Sequence, residues 1–241
     1  MEKTSDKKIG NLSKVSYIKD YVYGAVDGTI TTFAIISGVM GANLSPKIVI
    51  ILGVANLVAD GFSMAVSNFL GTRAQQELLD NTRRQEKILI DNNPEQQKEE
   101  LKKLFRDKGF RLEMVEDIAN SIARDKKLWL DTILREKHDM PLRGSNPLRA
   151  GFSTLMAFVV AGAIPILPFL VLLVTQKEST EIFVWSAAAA AFTFLIIGAL
   201  KSVITGSLWL RSSLETLFIG GIAASLAYLI GRLLKDIATS L

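Results

Sequence analysis

Hydrophobic residues along this chain fall into five long segments, and most charged residues lie outside them. The segments cover residues 22–42, 48–70, 148–174, 182–200 and 214–230. An α-helix needs roughly 20 apolar residues to cross the hydrocarbon layer of a bilayer. The pattern therefore predicts an all-α integral membrane protein with five transmembrane helices.

The stretch between the second and third segments, residues 71–146, has a different pattern. It is rich in charge, and its apolar residues recur at helical spacing, as at Val115, Ile118, Ala119 and Ile122. This predicts a water-exposed helical insertion with a small core. The expected organisation is a tail at 1–20, two transmembrane helices at 21–70, the insertion at 71–146 and three transmembrane helices at 147–241.

Positive charge predicts the orientation of the chain. Lys and Arg are frequent in the tail, in the insertion and in a loop at 201–212, but sparse in the turns at 43–47 and 176–181. The positive-inside rule then places the N-terminus and the insertion in the cytosol. The tail is expected to be flexible, with a short interfacial helix as the alternative. It has no apolar run of the kind found in a signal peptide.

Pro165 and Pro168 interrupt the third hydrophobic segment. Proline has no backbone N–H to donate and its ring clashes with the preceding turn, so a break or kink is predicted there. Such a bend is a candidate hinge for movement within the membrane.

Two carboxylates lie inside apolar segments, where a charge is costly. Asp27 is the sole charged residue of the first segment, and Asp60 is the sole charged residue of the second. A charged side chain near the bilayer centre costs roughly 2.5–3.5 kcal/mol on insertion scales, so such residues usually face a polar cavity or a partner. The two aspartates are therefore candidates for a substrate or proton path. The alternative is a polar lock, in which Asp60 is hydrogen-bonded to a neighbouring helix.

The second segment carries further candidate ligands beside Asp60. Asn56, Asp60 and Met64 are spaced one helical turn apart and share one helix face. A carboxylate, an amide oxygen and a thioether suit a divalent transition-metal ion better than Mg²⁺ or Ca²⁺. Asp27 would add a second carboxylate from the first helix. For Met64, ordinary packing is the alternative.

Other classes of function find little support. The 28 basic and 24 acidic residues are interleaved, so the net charge of +4 does not indicate a nucleic-acid partner. The chain has no cysteine and a single histidine, His138, which argues against disulfides, thiolate sites and histidine-based zinc or catalytic sites. No phosphate-binding glycine loop, nucleophile elbow or HExxH motif occurs. We therefore expect neither an enzyme nor an ATP-driven pump.

Four sequence blocks resemble the vacuolar iron transporter family. They are, in order, DGTITTFAIISGV at 27–39, ADGFSM at 59–64, PILPF at 165–169 and YLIG at 228–231. With a charged insertion between the second and third spans, their order is similar to that family over nearly the whole chain after residue 20.

The resemblance implies a homodimer, embedded in membrane lipid, that exports cytosolic Fe²⁺ and often Mn²⁺ in exchange for protons, for metal detoxification or storage. The ion path would run between the first helices of the two protomers. Asp27, Asp60 and Met64 match the path residues of the family, and Asn56 lies beside them. The metal is then a transported substrate, and no permanent cofactor is expected. The short chain without an organellar signal favours a cell membrane over a vacuolar membrane.

The resemblance also implies that glutamates of the insertion bind metal. The matching positions are Glu86, Glu95, Glu99, Glu100 and Glu136. On the pattern alone, a solvated charged face is the alternative for the first four. The chain departs from the family at Thr132, where a methionine is usual, and at Asn68, where many members carry a glutamate. Three features, taken together, predict a metal site in the insertion that is weaker, or holds fewer ions, than is typical of the family: Arg83, Arg84 and Gln85 around Glu86, Gln96 and Gln97 beside Glu95, and Thr132.

Two other functions stay open at this point. A passive divalent-cation channel would use the same membrane residues without coupling to protons. A membrane-anchored interaction module would use the insertion to bind a partner, and its buried aspartates would only hold helices together.

Overall fold

The computed structural model describes residues 2–175 and 181–235. Within these ranges, nine α-helices follow one another, with a short 3₁₀ turn at Ile164–Ile166 between the sixth and the seventh. Their bounds are α1 Glu2–Gly41, α2 Pro46–Asn92, α3 Pro94–Asp107, α4 Leu112–Ala123, α5 Lys126–Glu136, α6 Pro147–Ala163, α7 Leu167–Thr175, α8 Ile182–Thr205 and α9 Trp209–Leu233.

Five helical stretches among the described residues are long and apolar enough to cross a membrane. They lie in α1, in α2, in α6 with α7, in α8 and in α9. Length and composition thus confirm the predicted fold class, an all-α membrane protein with five transmembrane helices.

The chain forms two compact units. Met1–Phe69 and Pro147–Leu241 make up the first, here called the membrane unit. Leu70–Asn146 make up the second, here called the insertion, which contains the last part of α2 together with α3, α4 and α5.

Three boundaries differ from the sequence-based expectation. Residues 2–20, expected to be a flexible tail, form the first half of α1, because they contain no proline to interrupt a helix that continues into the apolar segment. Helix α2 likewise continues without a break to Asn92. The polar loop expected at 201–212 shrinks to 206–208, since α8 continues to Thr205 and is capped by Gly206, whose φ is 67°. The turn expected at 176–181 lies outside the described residues, apart from Glu181.

The predicted interruption of the third span is confirmed. Helix α6 ends at Ala163, the chain tightens into the 3₁₀ turn around Pro165, and α7 begins at Leu167. The hydroxyl of Ser186 on α8 donates a hydrogen bond of 2.7 Å to the Pro165 carbonyl oxygen. A polar group exposed by the break is therefore satisfied by a side chain of a neighbouring span.

Helix α1 packs against α6 and α9 through glycines. A Cβ atom on Gly28 would collide with the backbone of Phe158, and one on Gly162 would lie 2.7 Å from the Gly28 carbonyl oxygen. Farther along α1, a Cβ atom on Gly231 would collide with the backbone of Gly38. Small residues let helix backbones approach this closely inside membranes. The close contacts place α1 at the centre of the membrane unit.

The insertion has its own apolar core. Ile90 of α2, Leu101 of α3, Ala119 of α4, and Trp129 and Ile133 of α5 are buried together. Each of the four helices thus turns one face to a common cluster, and the charged side chains are arranged around it.

Candidate functional site

The two membrane aspartates lie on neighbouring helices, Asp27 on α1 and Asp60 on α2, and both are partly buried. Among the described residues, neither side chain has a hydrogen bond or an ion pair. The described part of the chain therefore supplies no counter-charge to this pair.

A hydrogen bond joins the two helices beside the aspartates. The Asn56 amide nitrogen donates to the Thr31 hydroxyl at 3.4 Å, and that hydroxyl donates to the Asp27 backbone carbonyl at 2.9 Å. Thr31 is one turn after Asp27, and Asn56 is one turn before Asp60. Three of the residues singled out in the sequence, Asp27, Asn56 and Asp60, thus belong to adjoining turns of α1 and α2.

Met64, the fourth residue singled out on these helices, is partly buried and packs against the apolar core of the membrane unit. It lies one turn beyond Asp60 on α2. Its thioether therefore contributes to packing at a position next to the aspartate pair.

Sequence reasoning missed a second polar cluster in the membrane unit. The Asn68 amide nitrogen of α2 donates to Asp20 Oδ1 at 3.0 Å, to the Thr154 hydroxyl at 2.7 Å and to the Ala150 carbonyl at 3.3 Å. Asp20 is two helical turns before Asp27 on α1, so the two acids lie on the same side of that helix. The seven-residue spacing was the available signal, and it was hidden because Asp20 was assigned to the tail.

In the insertion, Glu86 of α2 is buried, with 4% of its surface exposed. Its Oε1 atom accepts a hydrogen bond of 3.1 Å from Lys137 Nζ, and His138 Nε2 lies 2.6 Å from the same oxygen. The other oxygen, Oε2, is buried and has no hydrogen-bond partner in the part of the chain that the structure describes. Glu86 is thus a charged group held inside the insertion by residues that follow α5.

Lys137 also reaches Glu100 of α3, with 2.9 Å between Nζ and Oε2. Its ammonium therefore bridges two of the glutamates singled out in the sequence. Burial disfavours the charged form, but hydrogen bonds to Glu100 and Glu86 outweigh this and raise the pKa of Lys137 above its usual value. The position between the two carboxylates is occupied by a cation of the chain itself.

The other three glutamates are placed elsewhere. Glu136 is paired with Lys108, and Glu99 is paired with Lys102 at 2.9 Å. Glu95, in the first turn of α3, is exposed. Among the described residues, no three acidic or histidine side chains converge as they would around a metal ion. Lysines, instead, are paired with four of these five glutamates: Glu86, Glu99, Glu100 and Glu136.

A family model and several known proteins are similar to this chain over most of its length. The model of the VIT family matches residues 18–232. Vacuolar iron transporter 1 of Arabidopsis thaliana is 28% identical over 221 residues, which are 90% of this chain and 86% of the relative. The vacuolar iron transporter of Centaurea cyanus is 30% identical over 214 residues, or 88% and 85% of the two chains. That of Plasmodium berghei is 30% identical over 225 residues, or 91% and 82%.

Proposed function

This chain belongs to the VIT family, and from that premise we propose that it exports Fe²⁺, and Mn²⁺ with it, from the cytosol in exchange for protons. Its relatives are named as iron transporters, which makes iron the first substrate to test. The metal is cargo rather than a resident cofactor. The cellular role would be metal detoxification or storage.

The observation that carries this proposal is the aspartate pair on α1 and α2. Asp27 and Asp60 lie in apolar spans, on turns adjoining those that the Asn56–Thr31 hydrogen bond joins, and have no counter-charge among the described residues. Keeping such groups in a membrane is costly, so a functional gain has to offset the cost. A passing cation would supply the missing charge.

The same pair can bind either a metal ion or protons. Two carboxylates and one divalent cation are neutral together, and so are two carboxylates that each carry a proton. Because a medium of low polarity favours the neutral combination, the pair can exchange the metal for protons without leaving a net charge behind. No ATP site is needed for this cycle, because the proton gradient drives it.

Neighbouring groups would complete the coordination of the ion. The Asn56 amide nitrogen donates a hydrogen bond to Thr31, so the side-chain carbonyl oxygen of Asn56 is available to coordinate a cation. Met64 offers a thioether one turn from Asp60, which suits a transition-metal ion better than Mg²⁺ or Ca²⁺. These two side chains would select the metal, and the aspartates would hold its charge.

Asp20 would form the cytosolic entrance to the path. It lies two turns, about 11 Å along the helix, from Asp27. The amide of Asn68 holds its carboxylate beside the Thr154 hydroxyl. An ion arriving from the cytosol would meet this cluster before the aspartate pair.

The insertion would collect metal in the cytosol through its glutamates. Glu86 and Glu100 are the best placed, because the Lys137 ammonium already lies between them as a cation does between two ligands. Metal binding there would require Lys137 to move aside. Glu95, Glu99 and Glu136 would attract ions without forming part of the same cluster.

We further propose a homodimer in a cell membrane, with the N-terminus cytosolic and the path between the α1 helices of the two protomers. The outer face of α2, with Val58, Phe62 and Val66 exposed, is apolar enough to contact lipid or a second copy. A vacuolar membrane, as in the names of the relatives, is the alternative. Chemical cross-linking in native membranes and a fluorescent N-terminal fusion would test these points.

Proteoliposome transport tests the mechanism. With an acidic lumen, wild-type protein should take up Fe²⁺ kept reduced by ascorbate, and Asp27→Asn should not. Glu215→Gln is the matched control, since Glu215 is an exposed acid of α9 that is paired with Lys201. Uptake by Asp27→Asn at the wild-type rate would exclude this mechanism. Wild-type uptake that is indifferent to the pH gradient would favour the passive channel.

A further inference from the structure

A basic cavity of about 600 Å³ lies in the insertion. Arg83, Arg84 and Lys87 line it from the last part of α2, and Lys126 and Lys127 line it from the first turn of α5. Five cationic side chains from two helices therefore share one concave surface, here called the basic cavity. The transport mechanism makes no use of them.

Two of these cationic side chains already have a partner within the insertion. The Arg83 guanidinium donates to the Leu142 carbonyl oxygen at 2.7 Å, and Lys126 Nζ is 2.5 Å from Asp91 Oδ1. These contacts hold the rim of the cavity in place. Two acids also line the cavity: Asp91 is bonded to Lys126, whereas Asp80 is exposed and has no ion pair among the described residues, so one unpaired carboxylate faces the cations.

The other three cations, Arg84, Lys87 and Lys127, are exposed and have no hydrogen bond or ion pair among the described residues. Lys87 acts on Asp91 only through its charge. Like charges on one concave surface repel each other and concentrate anions from solution. The backbone N–H groups of Lys127 and Leu128 are already bonded to Asp125, so the side chains are the groups available to an anion.

The remaining wall of the basic cavity includes the apolar side chains of Ile90 and Leu130. A planar guanidinium and two ammonium groups match phosphate oxygens, and an apolar wall accommodates the organic part of a ligand. We propose that the basic cavity binds a phosphate-bearing anion through Arg84, Lys87 and Lys127. This binding is independent of the proposed transport path. The anion is either a soluble phosphate compound or the headgroup of an acidic lipid.

Binding to the full chain in phosphatidylcholine nanodiscs tests the proposal, with inorganic pyrophosphate and ATP, both free of Mg²⁺, as probes. Wild-type protein should bind them, with an affinity that falls as NaCl is raised. The triple variant Arg84→Gln, Lys87→Gln, Lys127→Gln should bind about tenfold more weakly or worse, because it loses several charge-assisted hydrogen bonds. Its Fe²⁺ uptake should equal that of wild type, so failure here is distinct from failure of the transport mechanism.

The matched control is Lys103→Gln, Arg106→Gln, Arg111→Gln, which removes the same charge from exposed positions of the insertion outside the basic cavity. It should bind the probes like wild type. Equal weakening in both triple variants, or no binding to wild type, would overturn the proposal. Repeating the titration in nanodiscs that contain phosphatidic acid distinguishes a soluble phosphate ligand from a lipid headgroup. Unchanged affinity assigns the site to a soluble phosphate, and competitive loss of binding assigns it to a lipid headgroup.

Discussion

The two acidic regions of this protein differ in whether the chain itself supplies a positive charge to their carboxylates. In the membrane unit, Asp27 and Asp60 have no ion pair among the described residues. In the insertion, a single lysine, Lys137, holds both Glu86 and Glu100. Yet an unpaired charge costs more in a membrane than near water. The difference supports the proposal that the membrane carboxylates receive a cation from outside the chain.

The insertion leads to the complementary conclusion. Its buried carboxylate already has a cationic partner, so a metal ion that binds between Glu86 and Glu100 would have to displace Lys137. That displacement would lower the net affinity for metal. A collecting site of this kind would bind ions weakly and release them readily, which suits a site that passes ions on.

The largest effect is expected from neutralising the membrane pair. In Asp27→Asn and in Asp60→Asn, gradient-driven Fe²⁺ uptake should fall to the level of empty liposomes, because an amide can neither carry the proton nor balance the metal charge. Thermal unfolding in detergent should occur at the wild-type temperature or above it, since a costly charge is removed. Lower unfolding temperatures would instead support the interaction module with structural aspartates.

A smaller effect, of opposite sign, is expected in the insertion. Lys137→Met should raise the affinity for Mn²⁺ by about tenfold, or about 1.4 kcal/mol, because the competing ammonium is gone. Calorimetric titration of the full chain measures this. An Asp27→Asn background removes the contribution of the membrane pair.

Lys102→Met is the control for that measurement. Lys102 also bridges two carboxylates, those of Glu99 at 2.9 Å and Glu116 at 2.7 Å, but both acids are exposed. Its loss should leave the Mn²⁺ affinity unchanged. If Lys137→Met and Lys102→Met behave alike, the special role of Lys137 is disproved.

The polar cluster around Asn68 should have a modest effect on the rate. Asn68→Ala removes the donor to Asp20 and should slow Fe²⁺ uptake about threefold, as expected for one hydrogen bond of roughly 0.5–1.5 kcal/mol. Initial rates at several Fe²⁺ concentrations measure this. Asn81→Ala, an exposed position of α2 in the insertion, should transport like wild type. An unchanged rate in Asn68→Ala would remove Asp20 from the proposed entrance.

The smallest expected effect is a dependence of stability on pH. Burial by itself would lower the pKa of Lys137, but hydrogen bonds to Glu100 and Glu86 raise it above the usual 10.5. A raised folded-state pKa contributes stability that is fully present below the unfolded value and is lost as the pH rises through the folded value. The unfolding temperature should therefore decline above about pH 10.5. Lys137→Arg, which stays charged there, should remove that part of the decline.

Much of the fold could be predicted because it depends on local chemistry. Five apolar segments of sufficient length require five spans, and Pro165 cannot donate to a helix, so the break around it follows. The extent of the helices could not be predicted in the same way. Hydrophobicity indicates where a helix is buried, and the polar continuation of α1 at residues 2–20 carries no such signal.

The candidate site likewise has a part that local spacing predicts and a part that depends on tertiary structure. The spacing of Asn56 and Asp60 places them on one face of α2 from sequence alone. The neutralisation of Glu86 was not visible there, because Lys137 is 51 residues away and only the folding of the insertion brings it near. Charge pairing over such distances depends on tertiary structure.

The glycine contacts of α1 also have a mechanical consequence. Where α1 meets Gly162 and Gly231, backbone lies against backbone, and the glycines themselves have no side chain that could change its rotamer to absorb a displacement. Helices α1, α6 and α9 should therefore move as one rigid body during transport. The 3₁₀ turn at Pro165, where the helix is already interrupted, stays the candidate hinge for movement. The ion path would then have one stiff wall, built on Asp27, and its opening and closing would be carried by the elements beyond that turn.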